Sequence, residues 1–570
     1  MSIPTAPPSP TTPAPLRWEI DEPGSWELDA VHFPTPVTRY HQAILREQFP
    51  RGFAEGTART GILLSHFEHR FANGFDYISP RIVGAPPGAR RLPPRPVFAL
   101  ALRAHRGMRA RLRTARTVLE RKPWRADVAL WESELKPAST AAHLRLQAFD
   151  VTTASDAALA GHLRALRANA EHQYYLHHRF TASVLVPVGD FLVRAGDWTG
   201  LPAAELAQAC RSSRDGATIG YGHFDAVVAA LRADAAARAL LGLPPGEVPH
   251  RLAAAAGPAG TAARAWLGLV RHRLVTGYDI VDLTAGELPE LMVRALVAAV
   301  EDRGADRERA RAERAHGVRD RVPARHRADF DEALAEAVSI GALREERAQF
   351  CDFWAYGLVR RAVLEAGSRL AARDRIEQPA DLLDAAHEEM LDLVADTGGP
   401  GADELAQRRR WRTTATADLA PARIGPPPAP APPVSWLPPA VRRMGAAVDA
   451  AVAALFVEPE ARNEPTTVRG IGASGGCYAG TARVVTGPAD FGRIRRGDVL
   501  VARATTEAYN TVLPLLGAVV TDRGGLLSHT ATVAREYGIP AVVGTREATR
   551  FIADGAQVRV DGDAGVVMLP

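Results

Sequence analysis

The stretch with the most chemistry in it is residues 521–544, TDRGGLLSHTATVAREYGIPAVVG. A β-branched run ends at Thr521, and Gly524 and Gly525 follow, residues that let a backbone turn tightly and come close to a ligand. Ser528 stands where the N-cap of a helix belongs and His529 at the first helical position, where orphan N–H groups and the positive dipole end face outward. Such an end favours an anion, phosphate first among them. A neutral imidazole placed there is a competent nucleophile at phosphorus and yields a phosphoramidate. The helix end disfavours protonation of the ring before attack and stabilises the phosphoryl dianion afterwards. His529 is thus the candidate catalytic residue, and Gly524, Gly525, Ser528 and Thr530 are candidates for holding phosphate. Arg523 and Arg535 could neutralise its charge through bidentate contacts. No metal is required at this site. The plainer alternative is an exposed histidine on a capped strand–helix turn. Glycines, cap, histidine, the helix stop at Gly538 and Pro540 and the strand that follows all agree, which favours the chemical reading.

Positioning that histidine needs a strand before it and a helix after it. From about residue 470 the sequence turns into short β-rich runs at 481–485, 498–502, 518–521, 541–543, 558–560 and 566–569, bounded by Gly, Pro or Asp. One helix, 529–537, lies between two of them, and Gly538 and Pro540 end it. The reading is a compact α/β module. The preceding 400 or so residues are rich in Ala, Leu and Arg at helical spacing. Leu159, Leu163, Leu166, Ala170, Tyr174 and His177 share one face, and Leu291, Val293, Leu296, Val297 and Val300 another. Residues 344–372 and 380–395 read as further helices, and 18–81 is irregular. Between the two parts, residues 426–439 hold eight prolines and read as an extended, semi-rigid tether. The expected organisation is a disordered Pro-rich start (1–16), a mostly α-helical domain (17–424), a linker (425–440), a helical connector (441–469) and the α/β module (470–570).

Composition excludes several classes of function. The chain has 570 residues, with 69 Lys plus Arg against 65 Asp plus Glu, a balance of +4 that gives no reason to expect nucleic acid or membrane partners. Only Lys122 and Lys136 are lysines, so a Gly-Lys phosphate loop of the Walker type is absent. Three widely spaced cysteines support neither a disulfide framework nor a zinc site. His387-Glu388-Glu389 lacks the second histidine of a zinc helix, and the alternating charges of 301–327 read as a solvated face. No signal peptide or bilayer-spanning run is found, and a cytoplasmic protein is expected.

The 521–544 segment closely resembles the swivelling phosphohistidine domain of phosphoenolpyruvate-utilising enzymes, the family of pyruvate phosphate dikinase, phosphoenolpyruvate synthase and rifampicin phosphotransferase. Residues 472–485 and 497–502 resemble that domain's opening strands, and Thr505 and Thr506 stand where the family often has a polar loop facing the histidine. The resemblance implies a β/β/α fold for 470–570, with His529 as the phosphorylated residue. More weakly, residues 26–38, 73–80, 271–273 and 287–289 resemble the acceptor-binding domain that precedes it in such enzymes. An ATP-grasp domain, which the resemblance would place first, is not recognisable, nor is a phosphoenolpyruvate-binding barrel after His529. The resemblance therefore implies a phosphotransferase component loaded by a separate ATP-grasp subunit. That subunit would hold ATP and Mg²⁺, and no cofactor would be bound tightly here. The proline tether would let the carrier swing from that subunit to a small-molecule acceptor on the helical domain. A phosphocarrier or regulatory binding protein without acceptor chemistry is the alternative.

On the acceptor side, His177 and His178 end the EHQYYLHHR segment (171–179), where a general base for an acceptor alcohol and a packed core histidine are both open readings. His32, Arg273 and Glu287 read either as a polar wall of the acceptor pocket or as members of an ion-pair network between helices.

Overall fold

The computed structural model describes residues 16–210, 221–301, 317–456, 463–464, 466–505, 509 and 512–569. The Pro-rich residues 1–15, most of the charged run (302–316) and Thr506 lie outside the described residues.

Up to residue 424 the chain is a large, mostly helical body. The apolar stripe from Leu159 to Tyr174 lies on the helix Asp156–Thr181 and is buried with Ile44 and Leu45 of the helix Arg39–Thr60 and with Trp354. Where one helix was expected over 344–372, the structure has Arg327–Ala348 and Trp354–Ala371, joined by a widened turn at Gln349–Phe353. Such wide turns re-aim side chains and concentrate at functional sites. The irregular early region forms part of an antiparallel sheet of order β2-β3-β1-β4. Its strands are β1 (Trp26–Leu28), β2 (Leu64–Ala72), β3 (Phe75–Ile82) and β4 (Arg423–Ile424). Asn73 and Gly74 turn the β2–β3 hairpin with φ of 52° and 87°, the left-handed pair that a two-residue hairpin demands. Because β4 pairs with β1, the two ends of the helical body are tied together.

The proline run is extended, yet it is also held: Trp436 packs on Phe98 at 6.0 Å between ring centroids. The expected connector helix, Arg442–Phe456, lies against Leu185–Thr199 so closely that a Cβ on Gly189 would stand 1.7 Å from the Ala447 carbonyl oxygen. That helix is packed as part of the helical body.

The C-terminal module is an eight-stranded mixed sheet of order β5-β12-β11-β7-β8-β9-β10-β6. Its strands are β5 (Thr467–Arg469), β6 (Ile471–Ser474), β7 (Cys477–Val485), β8 (Val499–Ala502), β9 (Ala518–Thr521), β10 (Ala541–Val543), β11 (Gln557–Asp561) and β12 (Val566–Met568). Strands β7 to β10 run parallel, and β8, β9 and β10 are buried throughout, which explains their unbroken apolar runs. The helix His529–Tyr537 connects β9 to β10. Loops after β8 and β9 therefore meet at the carboxyl edge of the parallel strands, where such sheets place ligands. Among the described residues, no helix is long and apolar enough to cross a membrane.

Candidate functional site

The histidine turn is assembled locally. Gly524 has φ of +122°, and a Cβ there would come within 2.9 Å of Ser528 Oγ, so backbone and space both call for glycine. Ser528 caps the helix, its Oγ accepting from the Ala531 N–H at 3.4 Å, and Gly538 closes it at φ 65°. His529, half-buried, starts the helix. Its Nδ1 lies 3.0 Å from Thr505 Oγ1, which is 2.7 Å from Thr530 Oγ1. The contacts suit an Nδ1–H donating to Thr505, with the Thr505 hydroxyl donating onward to Thr530.

Two phosphate-binding candidates, Arg535 and Arg523, sit elsewhere than the sequence suggested. Arg535 is 2% exposed and donates to the Leu526 carbonyl at 2.8 Å and the Ala473 carbonyl at 3.0 Å. It braces the turn from beneath, since a guanidinium buried under the helix must spend its donors on backbone carbonyls. The Thr530 hydroxyl serves Thr505. Arg523 is exposed and lines a groove of about 370 Å³ with Arg503, Arg546 and Arg550, facing Asp418, Asp522 and Glu547.

The turn is seated on the helical body. Leu526 and Leu527 are buried in the same apolar cluster as Phe180, Leu343 and Phe350. The Leu527 N–H donates to the Ala454 carbonyl at 2.9 Å, and Arg344 donates to the Leu527 carbonyl at 2.7 Å. A Cβ on Gly525 would stand 2.4 Å from the Ala454 carbonyl oxygen. A second patch joins the two parts: Arg294 donates to the carbonyls of Phe491 and Ile494 at 2.9 Å each.

On the helical side, His177, His178 and His32 belong to one histidine–carboxylate cluster. His177 Nδ1 is hydrogen-bonded to Asp352, which the widened turn projects from its helix. His178 stacks on His177 with centroids 4.4 Å apart, and burial, helped by His177, holds its pKa well below the ordinary histidine value. Burial likewise lowers His41 to about 3. His69 pairs with Asp76 at 2.9 Å, and at the surface His32 pairs with Asp29 at 2.8 Å. Sequence reasoning missed Asp352, His41 and His69. The signal available for the first was a single carboxylate inside an aromatic run, Phe350-Cys351-Asp352-Phe353-Trp354.

Arg273 and Glu287 lie outside that cluster. Arg273 is 3% exposed, lies 4.8 Å over the Trp354 ring, and burial pulls its pKa well down. Glu287 caps Thr284 and clamps Arg360, with two contacts of 2.9 Å. Glu287 thus joins an ion pair between elements and also lines an open cleft of about 760 Å³ with Arg271, His272 and Arg361, so it fits both readings. Among the described residues, no group of three or more His, Cys, Asp or Glu could hold a metal ion.

Strand order, the capped histidine and the threonine contact place His529 on a compact module at the carboxyl edge of its parallel strands. In agreement, residues 494–565 match the family described as PEP-utilising enzyme, mobile domain. That match lies wholly within the C-terminal module. The phosphotransferase YvkC of Bacillus subtilis, itself described as uncharacterised, is 42% identical over 106 residues, 19% of this chain and 13% of that protein. A probable phosphoenolpyruvate synthase of Archaeoglobus fulgidus is 41% identical over 100 residues, 18% of this chain and 13% of that one. The uncharacterised protein Mb2073c of Mycobacterium bovis is 30% identical over 347 residues, 60% of this chain and 35% of that one. That last span exceeds the module, so likeness extends into the helical part. The chain covers well under half the length of each of these relatives.

Proposed function

We propose that the chain is a phosphotransferase component that takes a phosphoryl group on His529 from a separate ATP-grasp subunit and hands it to a small molecule held by the helical body. The observation that carries this reading is the His529 turn itself: an imidazole oriented by Thr505 at a helix start, its flanking leucines seated on the helical body. His529 Nε2 attacks the donor phosphorus as that phosphorus loses its bond to the nucleotide oxygen, which leaves with the electron pair, while Nδ1–H stays on Thr505. The phosphoryl oxygens then lie before the helix N-terminus, whose N–H groups and dipole favour a dianion. Transfer onward is an in-line displacement that depends on positioning and charge stabilisation. ATP and Mg²⁺ would reside on the partner, in the cytoplasm.

The test is to mix the protein with radiolabelled ATP, Mg²⁺ and ATP-grasp proteins encoded near it. Acid-labile, alkali-stable label should enter the wild type and be absent from His529→Ala. Label that persists in His529→Ala, or no label with any donor, overturns the reading.

A further inference from the structure

Six buried polar atoms of the helical body have no hydrogen-bond partner in the protein and surround one group of rings: both nitrogens of His41, whose Nδ1 lies 3.8 Å from Asp279 Oδ1, Nε2 of His69 and of His178, Oδ1 of Asp352, and the Tyr356 hydroxyl. Their residues are at most 7% exposed. Tyr174 joins them, with ring centroids 4.4 Å from His178 and 5.5 Å from His41, and His41 lies 4.7 Å from Tyr356. Phe49 bridges to the other side, 4.0 Å from His178 and 4.4 Å from His69. Native interiors leave few polar groups unmet, and rarely several in one place. Such a cluster is completed by something the fold does not itself supply, water or a ligand.

His177 stands at its rim with its side chain 12% exposed, and Asp352 holds its Nδ1, so Nε2 is the basic nitrogen. The cluster also lies next to the seat of the His529 turn. Thr181 Oγ1 is 3.4 Å from His178 Nδ1 and receives Arg347 at 3.4 Å. Arg347 also donates to the carbonyl of Arg344, one helical turn away, and Arg344 grips Leu527, two residues before His529.

We propose that this histidine–tyrosine cluster is the acceptor site and that His177, oriented by Asp352, is the general base that takes the proton from a neutral hydroxyl compound with a ring-sized apolar body. The inference rests on the carrier role of His529. The acceptor O–H proton passes to His177 Nε2 as the acceptor oxygen bonds to phosphorus, and the P–N bond to His529 breaks with its electron pair returning to the imidazole. Phosphate ester, protonated His177 and neutral His529 result. Asp352 is a positioning residue. The chemistry lining the cluster is aromatic rings, the imidazoles of His41 and His178, in which burial opposes charging, and the carboxyl groups of Asp76 and Asp352, which suits an uncharged alcohol or phenol and disfavours a carboxylate.

Two arms keep this inference separable from the carrier role. First, p-cresol and 4-methylbenzoate are titrated into the full-length, unphosphorylated protein by equilibrium dialysis. The phenol should bind, Tyr356→Phe should weaken it about threefold, and the benzoate should not compete. Second, His529 is loaded chemically with potassium phosphoramidate, without any partner, and discharge to p-cresol is followed. Failure to load strikes at the carrier role and leaves the binding arm to decide the site. After loading, His177→Gln should slow formation of p-cresyl phosphate by about a hundredfold, the usual range for a lost general base. Asp352→Asn should lower kcat about tenfold with KM unchanged, and Asp352→Glu should restore part of it. Absent phenol binding, equal binding of the benzoate, or wild-type discharge by folded His177→Gln overturns the inference.

Discussion

The histidine turn and the histidine–tyrosine cluster are built in opposite ways. The turn draws its cap and its closing glycine from residues 521–544, with short-range contacts such as Ser528 with Ala531 and Arg535 with Leu526. From elsewhere in the module, Thr505 meets the ring, the Ala473 carbonyl receives the brace beneath it, and the Arg503 carbonyl accepts from the Arg523 N–H at 2.7 Å. The cluster gathers His41, His69, His178 and Asp352 from segments tens to hundreds of residues apart, and it leaves polar atoms without partners. A self-contained turn keeps its geometry whichever surface it faces, which suits a group that must visit a donor and an acceptor. A non-local cluster exists only once the helices have packed, and its unmet atoms suit a site completed by what enters it.

The sharpest division between the two is a pair of replacements at the ends of the transfer. His529→Gln should abolish phosphoryl loading altogether. Its thermal midpoint, read by tryptophan fluorescence, should not move, because all nine tryptophans precede residue 437. His177→Gln should load like the wild type and fail at discharge. A loading defect in His177→Gln would mean that the two regions are not functionally separate.

Next in size is a contrast between neighbours. Gly524→Ala forces a side chain onto φ of +122° and against Ser528, inside the turn itself; strain of that kind costs about 1–3 kcal/mol. Both loading and discharge should fall about tenfold or more. Gly525→Ala meets the helical body first, with the Ala454 and Leu455 carbonyl oxygens at 2.4 and 2.8 Å. Loading should survive and discharge should fall by a similar factor. Equal defects in both steps for the two variants would show that the docked seat plays no part in delivery.

How much was legible follows the same division. Strands β9 and β10 and the His529–Tyr537 helix lie where the spacing put them, because each signal (β-branched run, N-cap serine, C-terminal glycine) acts on its own neighbours. Arg535 misled because one-dimensional spacing sets it on the helix but does not say that this face is turned under the loop. The N-terminal sheet went unread although Asn73-Gly74 is a hairpin signal, since the flanking strands carry charge and aromatics on both faces. β4 pairs with β1 across about 400 residues, a closure that no local pattern announces. His177 and His178 were visible only as two open readings, because their partners Asp352, Phe49 and Thr181 reach them through packing.

Acid should act on one region before the other. His41 and His143 are buried in the helical body, and burial lowers each from 6.5 to about 3. The unfolded chain therefore binds more protons than the folded one between those values, so stability rises with pH across that window and falls as pH drops below 6.5. Each such histidine adds a slope of up to about 1.4 kcal/mol per pH unit. Among the described residues, the histidines that burial lowers all lie in the helical body. Urea unfolding followed by tryptophan fluorescence between pH 7 and pH 4 should show the loss, and His143→Phe should reduce the slope. A pH-independent midpoint over that range would mean that these rings are not buried neutral.

The smallest effect belongs to the ion pair that joins the two parts at the surface. Arg503 and Asp418 lie 3.2 Å apart with side chains 63% and 72% exposed. Both groups keep most of their hydration and must give up side-chain freedom to meet, so an exposed pair of this kind is worth about 0–1 kcal/mol. Arg503→Ala should therefore leave discharge from phosphorylated His529 within about twofold of the wild type, whereas removing the buried contact through Leu527→Ala should cost about 2–5 kcal/mol. That ordering also separates two pictures of the interface. If apolar burial around Leu526 and Leu527 holds the module in place, raising the salt concentration leaves discharge unchanged. If surface charge holds it, Arg503→Ala and high salt both release the module, and the seated leucines are its consequence rather than its cause.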